Sequence, residues 1–240
     1  MTRAVLVTGG SRGIGAEVVR QLAQRGRDVT ATYNTSADAA EAVASEFPDS
    51  ISTTSYQLGN QESAAGAVAA TLARWGRLDA LVLNAGRWSG GRLEAVSPTA
   101  WWDVVTANVA GAAQLTRAAL PALRAGSDPS IVVISSVVGL IGNPGDTAYG
   151  SAKAALVGFA RSLAKEVGRD GIRVNVLAPG LVETDMTAEL DDRSRSQITS
   201  KLVLRRLGTA EEAAKAAVFL SEDATYCTGT ILTVDGGWSI

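Results

Sequence analysis

Short β-branched runs alternate along the chain with longer alanine-rich stretches whose apolar residues recur every three to four positions. The first kind of run predicts strand and the second amphipathic helix. Arg3–Thr8 is the first predicted strand, and a helix from Gly13 to about Arg25 follows it, closed by Gly26. Asp28–Tyr33, Ile51–Gln57 and Leu78–Leu83 are the next strands, separated by helices over Ala37–Phe47 and Gln61–Trp75. A long helix is expected near Trp101–Leu123, with Ser97 as its N-cap and Pro98 at the first helical position, where a missing N–H is harmless. Ile131–Ser135 is almost purely β-branched, as a strand covered on both faces should be. A helix over Tyr149–Val167, a strand over Arg173–Leu177, a helix over Ala210–Leu220 and a strand over Ile231–Val234 complete the series.

Alternation of this kind needs right-handed crossovers and predicts an α/β fold, a parallel sheet with helices on both faces. No linker, low-complexity tract or fixed-period repeat interrupts it, so residues 1–240 are expected to form one domain. The segment Val182–Leu207 fits no strand–helix slot. It reads as an insertion over one end of the sheet, with Met186, Leu190 and Ile198 expected in a lid over substrate.

Composition removes whole classes of function. With 46% hydrophobic and 19% charged residues, the 240-residue chain has the character of an ordinary globular protein. Its 22 basic and 24 acidic side chains leave a net charge of −2, with no basic excess for nucleic acid or an anionic membrane surface. The apolar stretch Ile131–Ile141 is broken by serines and a glycine, which excludes a spanning helix, and no signal-peptide pattern precedes the first strand. The single cysteine, Cys227, cannot form an internal disulfide and fits a reducing cytoplasm, the expected location. The absence of histidine excludes Ser–His and Cys–His nucleophile pairs and every histidine metal site, and no metal is expected. Acid–base chemistry is left to Tyr, Lys, Asp, Glu or water.

The first strand runs into Thr8-Gly9-Gly10-Ser11-Arg12-Gly13-Ile14-Gly15, where the helix begins. Ligands of parallel sheets bind beyond the carboxyl ends of the strands. Glycines there permit close approach of a pyrophosphate to the helix N-terminus, whose free N–H groups favour anions. The Gly-x-x-x-Gly-x-Gly spacing, taken alone, also fits a tight connection. At the end of the second strand stands Tyr33-Asn34-Thr35-Ser36, with no carboxylate before Asp38, although an NAD site usually places an acidic residue here. Arg12 can offer a cation to a 2′-phosphate, with the hydroxyls of Thr35 or Ser36 beside it. NADPH is therefore expected over NADH.

Tyr149 and Lys153 are four residues apart at the start of a helix and share a face. Ser136 ends a buried strand, where sheet ligands gather. Hydride delivery to a ketone leaves an alkoxide that needs a proton. A tyrosine of ordinary pKa near ~10 can donate one, and a neighbouring ammonium together with the positive field of a dinucleotide ring is expected to pull that pKa down and so ease the reverse reaction. Ser136 can hold the carbonyl oxygen beside the phenol. A Tyr-x-x-x-Lys spacing alone is also common on surfaces, and two serines ending a strand also cap turns. Their order along the parallel-sheet slots is what points to a site.

On these residues the chain resembles the short-chain dehydrogenases/reductases. The matching pieces are the glycine turn Thr8–Gly15, Asn84-Ala85-Gly86, Asn108, Ser136, Tyr149 with Lys153, and Pro179-Gly180. The resemblance implies a Rossmann-type doubly wound sheet of seven strands and a catalytic tetrad of Asn108, Ser136, Tyr149 and Lys153. It further implies that Asn108 binds a water linking Lys153 to solvent and that Lys153 holds the nicotinamide ribose. Cofactor contacts are implied at Gly9, Ser11, Arg12, Gly13, Ile14, Gly15, Asn34, Thr35, Ser36, Gln57, Leu58, Asn84, Ala85, Gly86, Tyr149, Lys153, Pro179, Gly180, Val182 and Thr184. Leu83 replaces a family asparagine, and Gln57 stands where an Asp or Asn is usual.

Within the family, Ser136-Val137-Val138-Gly139 and the stretch Ala178–Met186 look most like the 3-oxoacyl-[acyl-carrier-protein] reductases. That likeness implies a β-ketoacyl substrate, with an acyl carrier protein as partner, and a homotetramer built on the helix Tyr149–Val167, rich in Gly150, Ala154 and Gly158. Arg124, Arg169 and Arg173 are candidates for meeting the acidic carrier beside the cleft, although Asp170 stands where a basic residue is usual. Trp88, in the loop after Asn84-Ala85-Gly86, is expected to flank a flat, unsaturated or aromatic acyl chain, with Ser136, Tyr149 and Met186 as further substrate contacts. Trp101 and Trp102 are expected in the core and at a subunit contact. A dehydrogenase of small alcohols, sugars or steroids is the alternative enzyme, and a dinucleotide sensor without turnover the alternative class. A sensor has no need of Ser136, Tyr149 and Lys153.

Overall fold

The computed structural model describes residues 2–183, 196 and 199–240. In chain order, β1 (Ala4–Val7), α1 (Gly13–Gln24), β2 (Asp28–Tyr33), α2 (Ala37–Ser45), β3 (Ile51–Ser55), α3 (Gln61–Trp75) and β4 (Ala80–Leu83) form the first half. Then come α4 (Pro98–Arg124), β5 (Ser130–Ile134), the one-turn α5 (Val138–Ile141), α6 (Thr147–Val167) and β6 (Arg173–Pro179). Two-residue strands β7 (Val182–Glu183) and β8 (Gly208–Thr209) precede α7 (Ala210–Val218), which widens into a π-helical turn at Phe219–Asp223 before β9 (Ile231–Val234).

Seven strands lie parallel in the order β3-β2-β1-β4-β5-β6-β9. Successive residues of a strand point to opposite faces, and both faces are covered. Leu6, Leu81, Ile131 and Val133 pack with Val68 of α3, Leu115 and Leu123 of α4 and Leu156 of α6. Val5, Val7, Val132 and Ile134 face the other way, against Val18 and Leu22 of α1 and Val218 of α7. This is why the strands read as unbroken β-branched runs. The expected doubly wound α/β sheet is the one observed.

Strand order reverses at the β1–β4 pair: β2 and β3 lie to one side, β5, β6 and β9 to the other. A crevice beyond the carboxyl ends of such a pair is where ligands of these sheets sit. The glycine turn leaves β1 at that point and Asn84 leaves β4 beside it.

The departures from expectation have local causes. Strand β4 begins at Ala80, not Leu78, because the Asp79 carboxylate takes the N–H groups of Ala4 (2.8 Å) and Ser127 (2.6 Å) and two guanidinium nitrogens of Arg77. Strand β6 runs on to Pro179 because β9 pairs along it to Val234. The stem of the expected insertion is itself paired, Val182 with Gly208 and Glu183 with Thr209. Thr184, Met186, Leu190 and Ile198 lie outside the described residues. Trp101 and Trp102 are not core anchors. They meet edge to face, ring centroids 4.9 Å apart, with Trp102 largely exposed. Among the described residues no helix is long and apolar enough to cross a membrane.

Candidate active site

Thr8 builds the nucleotide side of the crevice. Its hydroxyl oxygen accepts the N–H groups of Asn84 and Ala85, each at 2.9 Å, and donates to Val82 O. Asn84 answers by donating its amide to Thr8 O (2.9 Å) and Gly9 O (3.2 Å). The turns after β1 and β4 are thereby tied into one unit. Gly9 and Gly13 hold φ of +66° and +55°, the left-handed region that favours glycine. At Gly15 a Cβ would lie 2.1 Å from Gly9 O and 2.5 Å from the Asn84 amide nitrogen. The cradle requires the bare backbone, which fits close seating of a pyrophosphate at the start of α1. Gly15→Ala is accordingly expected to weaken dinucleotide binding by at least about tenfold and to lower Tm, since forced overpacking costs about 1–3 kcal/mol. An unchanged dissociation constant in a fluorescence titration would exclude this cradle as the site.

Around the cradle, Arg12 occupies the N-cap of α1 with an extended backbone, its side chain exposed. Asn34 and Thr35 are exposed at the end of neighbouring β2, and Ser36 sits at the N-cap of α2 without a side-chain capping bond. Gln57 and Leu58 follow β3, one strand further out; Gln57 is exposed, and Leu58 is wedged where a Cβ on Gly111 would fall 2.4 Å from its Cδ1. Ser11 and Ile14 complete the turn, half-buried. At the far side, Gly180 abuts Asp235, whose Cα would lie 2.7 Å from an added Cβ, and Val182 is buried.

Ser136, Tyr149 and Lys153 come together beyond β5. Ser136 is 8% exposed, and its hydroxyl accepts the Val138 N–H at 3.2 Å and lies near enough to the Tyr149 phenol to act on its pKa. It therefore caps the turn into α5 and serves the site at once. Tyr149 is the third residue of α6, and Lys153 lies one turn on, 3% exposed, its ammonium donating to Ile134 O at 2.9 Å. The lysine nitrogen stands 5.5 Å from the centre of the tyrosine ring. Burial pushes the Lys153 pKa down to about 8.

Without nucleotide the phenol is shifted upward. Burial pushes Tyr149 up to about 12, the neighbouring Ser136 hydroxyl works against that, and the Asp146 carboxylate adds a further upward push. Tyr149 keeps part of its surface open, yet desolvation outweighs the lysine 5.5 Å away. In the protein without nucleotide the phenol is held as the neutral acid.

Asn108 is buried at 2% exposure. Its amide donates to Arg87 O and Val104 O, both at 2.8 Å, and its oxygen accepts the Arg87 N–H at 3.2 Å. It clamps the loop that leaves β4. Gly86 lies between: a Cβ there would sit 3.0 Å from the Asn108 side-chain oxygen and 3.3 Å from the Lys153 nitrogen.

Several residues that shape the site escape sequence reasoning. Ser135 donates to Lys153 O at 2.7 Å, and a Cβ on Gly139 would meet the Lys153 carbonyl carbon at 2.7 Å, so α5 packs bare against α6. Gly139 stood in the motif; its packing duty had no sequence signal. Trp88, 49% exposed, donates its indole N–H to Asp146 at 2.7 Å. The arginines considered for the carrier do not flank this chain's own crevice. Arg124 ends α4 and pairs with Asp170 at 2.8 Å, and Arg169 follows α6; both lie toward the amino ends of the strands. Arg173 is buried and donates to the carbonyls of Leu220, Ser221 and Ala224, closing the π-helical turn.

A glycine cradle at the switch point of a doubly wound sheet, with serine, tyrosine and lysine gathered beyond β5, defines an oxidoreductase that uses a nicotinamide dinucleotide. The chain belongs to the short-chain dehydrogenase/reductase family: the family model described as enoyl-(acyl carrier protein) reductase matches residues 9–239. It is similar to the 3-oxoacyl-[acyl-carrier-protein] reductase FabG of Haemophilus influenzae, 40% identical over 236 residues, spanning 98% of this chain and 97% of the relative. The Escherichia coli protein of the same description is 39% identical over 236 residues, 98% of this chain and 96% of the relative. That of Chlamydia muridarum is 36% identical over 242 residues, 99% and 97% of the two chains.

Proposed function

We propose that this protein reduces the ketone of a β-ketoacyl thioester, carried on acyl carrier protein, to the β-hydroxyacyl product with NADPH. The observation that carries the reading is the pair of hydroxyls, Ser136 and Tyr149, brought close together at the end of β5, where Ser136 lowers the phenol pKa against its burial. Two hydroxyls converging on one oxygen suit a ketone becoming an alcohol. Reduction of a carbon–carbon double bond delivers its proton to carbon, and the pair would have no such partner. The 3-oxoacyl reductases among the relatives support the same choice.

The dinucleotide, when bound in the glycine cradle, supplies the hydride. Ser136 holds the substrate oxygen, and Tyr149 delivers the proton that turns the nascent alkoxide into an alcohol. Lys153 holds the nicotinamide ribose and places a positive charge under the phenol as its proton leaves. Asn108 fixes the backbone of Arg87 and, through it, the floor beside Lys153. Arg12, Thr35 and Ser36 receive the 2′-phosphate. The whole chain acts as one catalytic domain in the cytoplasm, assembled as a homotetramer through α4 and α6; the exposed Trp102 and the open surface at Gly158 support those contacts.

The test is a panel of β-ketoacyl groups, on carrier protein and on a small thioester, with both reduced nucleotides. Carrier-bound β-ketoacyl substrate and NADPH should give the highest kcat/KM, with NADPH ahead of NADH by about tenfold or more, and Arg12→Ser should erase most of that lead. Equal or better efficiency with NADH overturns the cofactor assignment. Preference for simple alcohols or sugars over every β-ketoacyl compound overturns the substrate class.

A further inference from the structure

Asp146 stands at the N-cap of α6, three residues before Tyr149, yet its side chain makes no capping bond. An aspartate in that position ordinarily accepts an N–H of the first turn, which is worth a measurable part of a helix's stability. Here both carboxylate oxygens are turned elsewhere. One accepts the Trp88 indole N–H at 2.7 Å and the other the Asn143 amide at 2.6 Å. Trp88 and Asp146 are 58 residues apart in the chain. They belong to the loop after β4 and the loop between α5 and α6, the two segments that border Tyr149.

The bridge is reinforced on both sides. Gly91 donates its backbone N–H to Gly145 O at 2.8 Å, and Asn108 grips Arg87, the residue before Trp88. The indole lies so close over Gly90 that a Cβ there would meet its Cζ2 at 2.6 Å. Next to Asp146, Thr147 accepts a second indole N–H, from Trp101 at 3.1 Å. With its N–H spent on Asp146 and nearly half its surface open, Trp88 offers a ligand an aromatic face and no hydrogen bond.

We propose that Asp146 is a positioning residue that holds Trp88 as a fixed aromatic wall beside Tyr149, and that this wall selects β-ketoacyl chains with planar, conjugated carbon beyond the β-position. The inference rests on the ketone reduction proposed above. A conjugated chain presents a flat π-surface to the indole without losing rotamer freedom, whereas a saturated chain of the same length must be ordered to match it. A tethered ring makes that distinction and a swinging one blurs it.

The experiment compares kcat/KM for a conjugated β-ketoacyl thioester with that for a saturated one of equal length. The wild-type ratio should exceed one by about tenfold, carried by KM. Asp146→Ala and Trp88→Phe should each bring the ratio close to one. The double variant should lose no more than either single one, and Asp146→Asn, which keeps an acceptor for the indole, should retain most of the preference. A wild-type ratio near one, or single-variant losses that multiply, would overturn the proposal. Amide exchange at Gly91 reads the tether without any turnover and should quicken in Asp146→Ala. If the wild type reduces no β-ketoacyl thioester, the functional reading fails by itself. Unchanged exchange at Gly91 defeats the tether.

Discussion

Tyr149→Phe is expected to lower turnover in ketone reduction by about 10²–10⁴-fold, the range that a positioned proton donor commonly supplies, while leaving the fold and dinucleotide binding in place. Phenylalanine keeps the ring and its packing on α6. What it removes is one hydroxyl beside Ser136, a loss worth about 1 kcal/mol in stability at most. The variant should therefore unfold within a few degrees of the wild type and still quench on adding NADPH. Turnover within threefold of wild type would dismiss the phenol as the acid. The pH profile follows from the same group. With the phenol pushed up to about 12 before nucleotide binds, the donating form is complete at neutral pH. Reduction should stay level up to neutrality and decline on the alkaline side, first as Lys153 loses its charge and, at higher pH, as the phenol loses the proton it must give. Burial and the Asp146 carboxylate both hold the proton on the phenol.

The features legible in the sequence are those whose cause is local. The sheet could be read because both faces of β5 are buried, which leaves Ile131–Ile134 nothing but apolar side chains to show. The glycine turn could be read because Gly9 and Gly13 need positive φ and Gly15 lies against Gly9 O. Tyr149 and Lys153 betray themselves by a one-turn spacing, and Ser136 by ending a strand. The features that escaped depend on partners far away in the chain. Arg173 looked like a surface cation until the carbonyls of Leu220, Ser221 and Ala224 closed over it. Asp79 cut short a predicted strand by taking the Ala4 N–H. Trp101 looked like a core anchor, but its indole N–H reaches Thr147, 46 positions on. The upward shift of the Tyr149 phenol was hidden for the same reason. The presence of Lys153 can be read from the spacing, but the desolvation that outweighs it comes from elements packed around α6.

Lys153→Met should abolish most activity and at the same time remove a pH dependence from stability. Loss of an oriented charge beside the reacting groups typically costs about 10²–10³-fold in turnover. The stability argument runs through the depressed pKa: burial holds Lys153 at about 8 in the fold against 10.5 for an open lysine. Between those values the unfolded chain binds the extra proton and the folded one does not, so unfolding free energy rises with pH. The contribution is complete above about 10.5 and disappears as pH falls through about 8. Relative to Lys153→Met, the wild type without nucleotide should therefore gain roughly 3 kcal/mol between pH 7 and pH 10.5. Urea unfolding at a series of pH values measures this directly. The comparison is a difference of slopes, so the Ile134 carbonyl left without its donor in the variant shifts the whole curve and not its shape. Parallel curves would mean that the lysine is not desolvated in the fold. An anionic dinucleotide in the cradle should raise the Lys153 pKa and move the rise to higher pH. The charge that strains the empty fold is then the one the bound nucleotide stabilises.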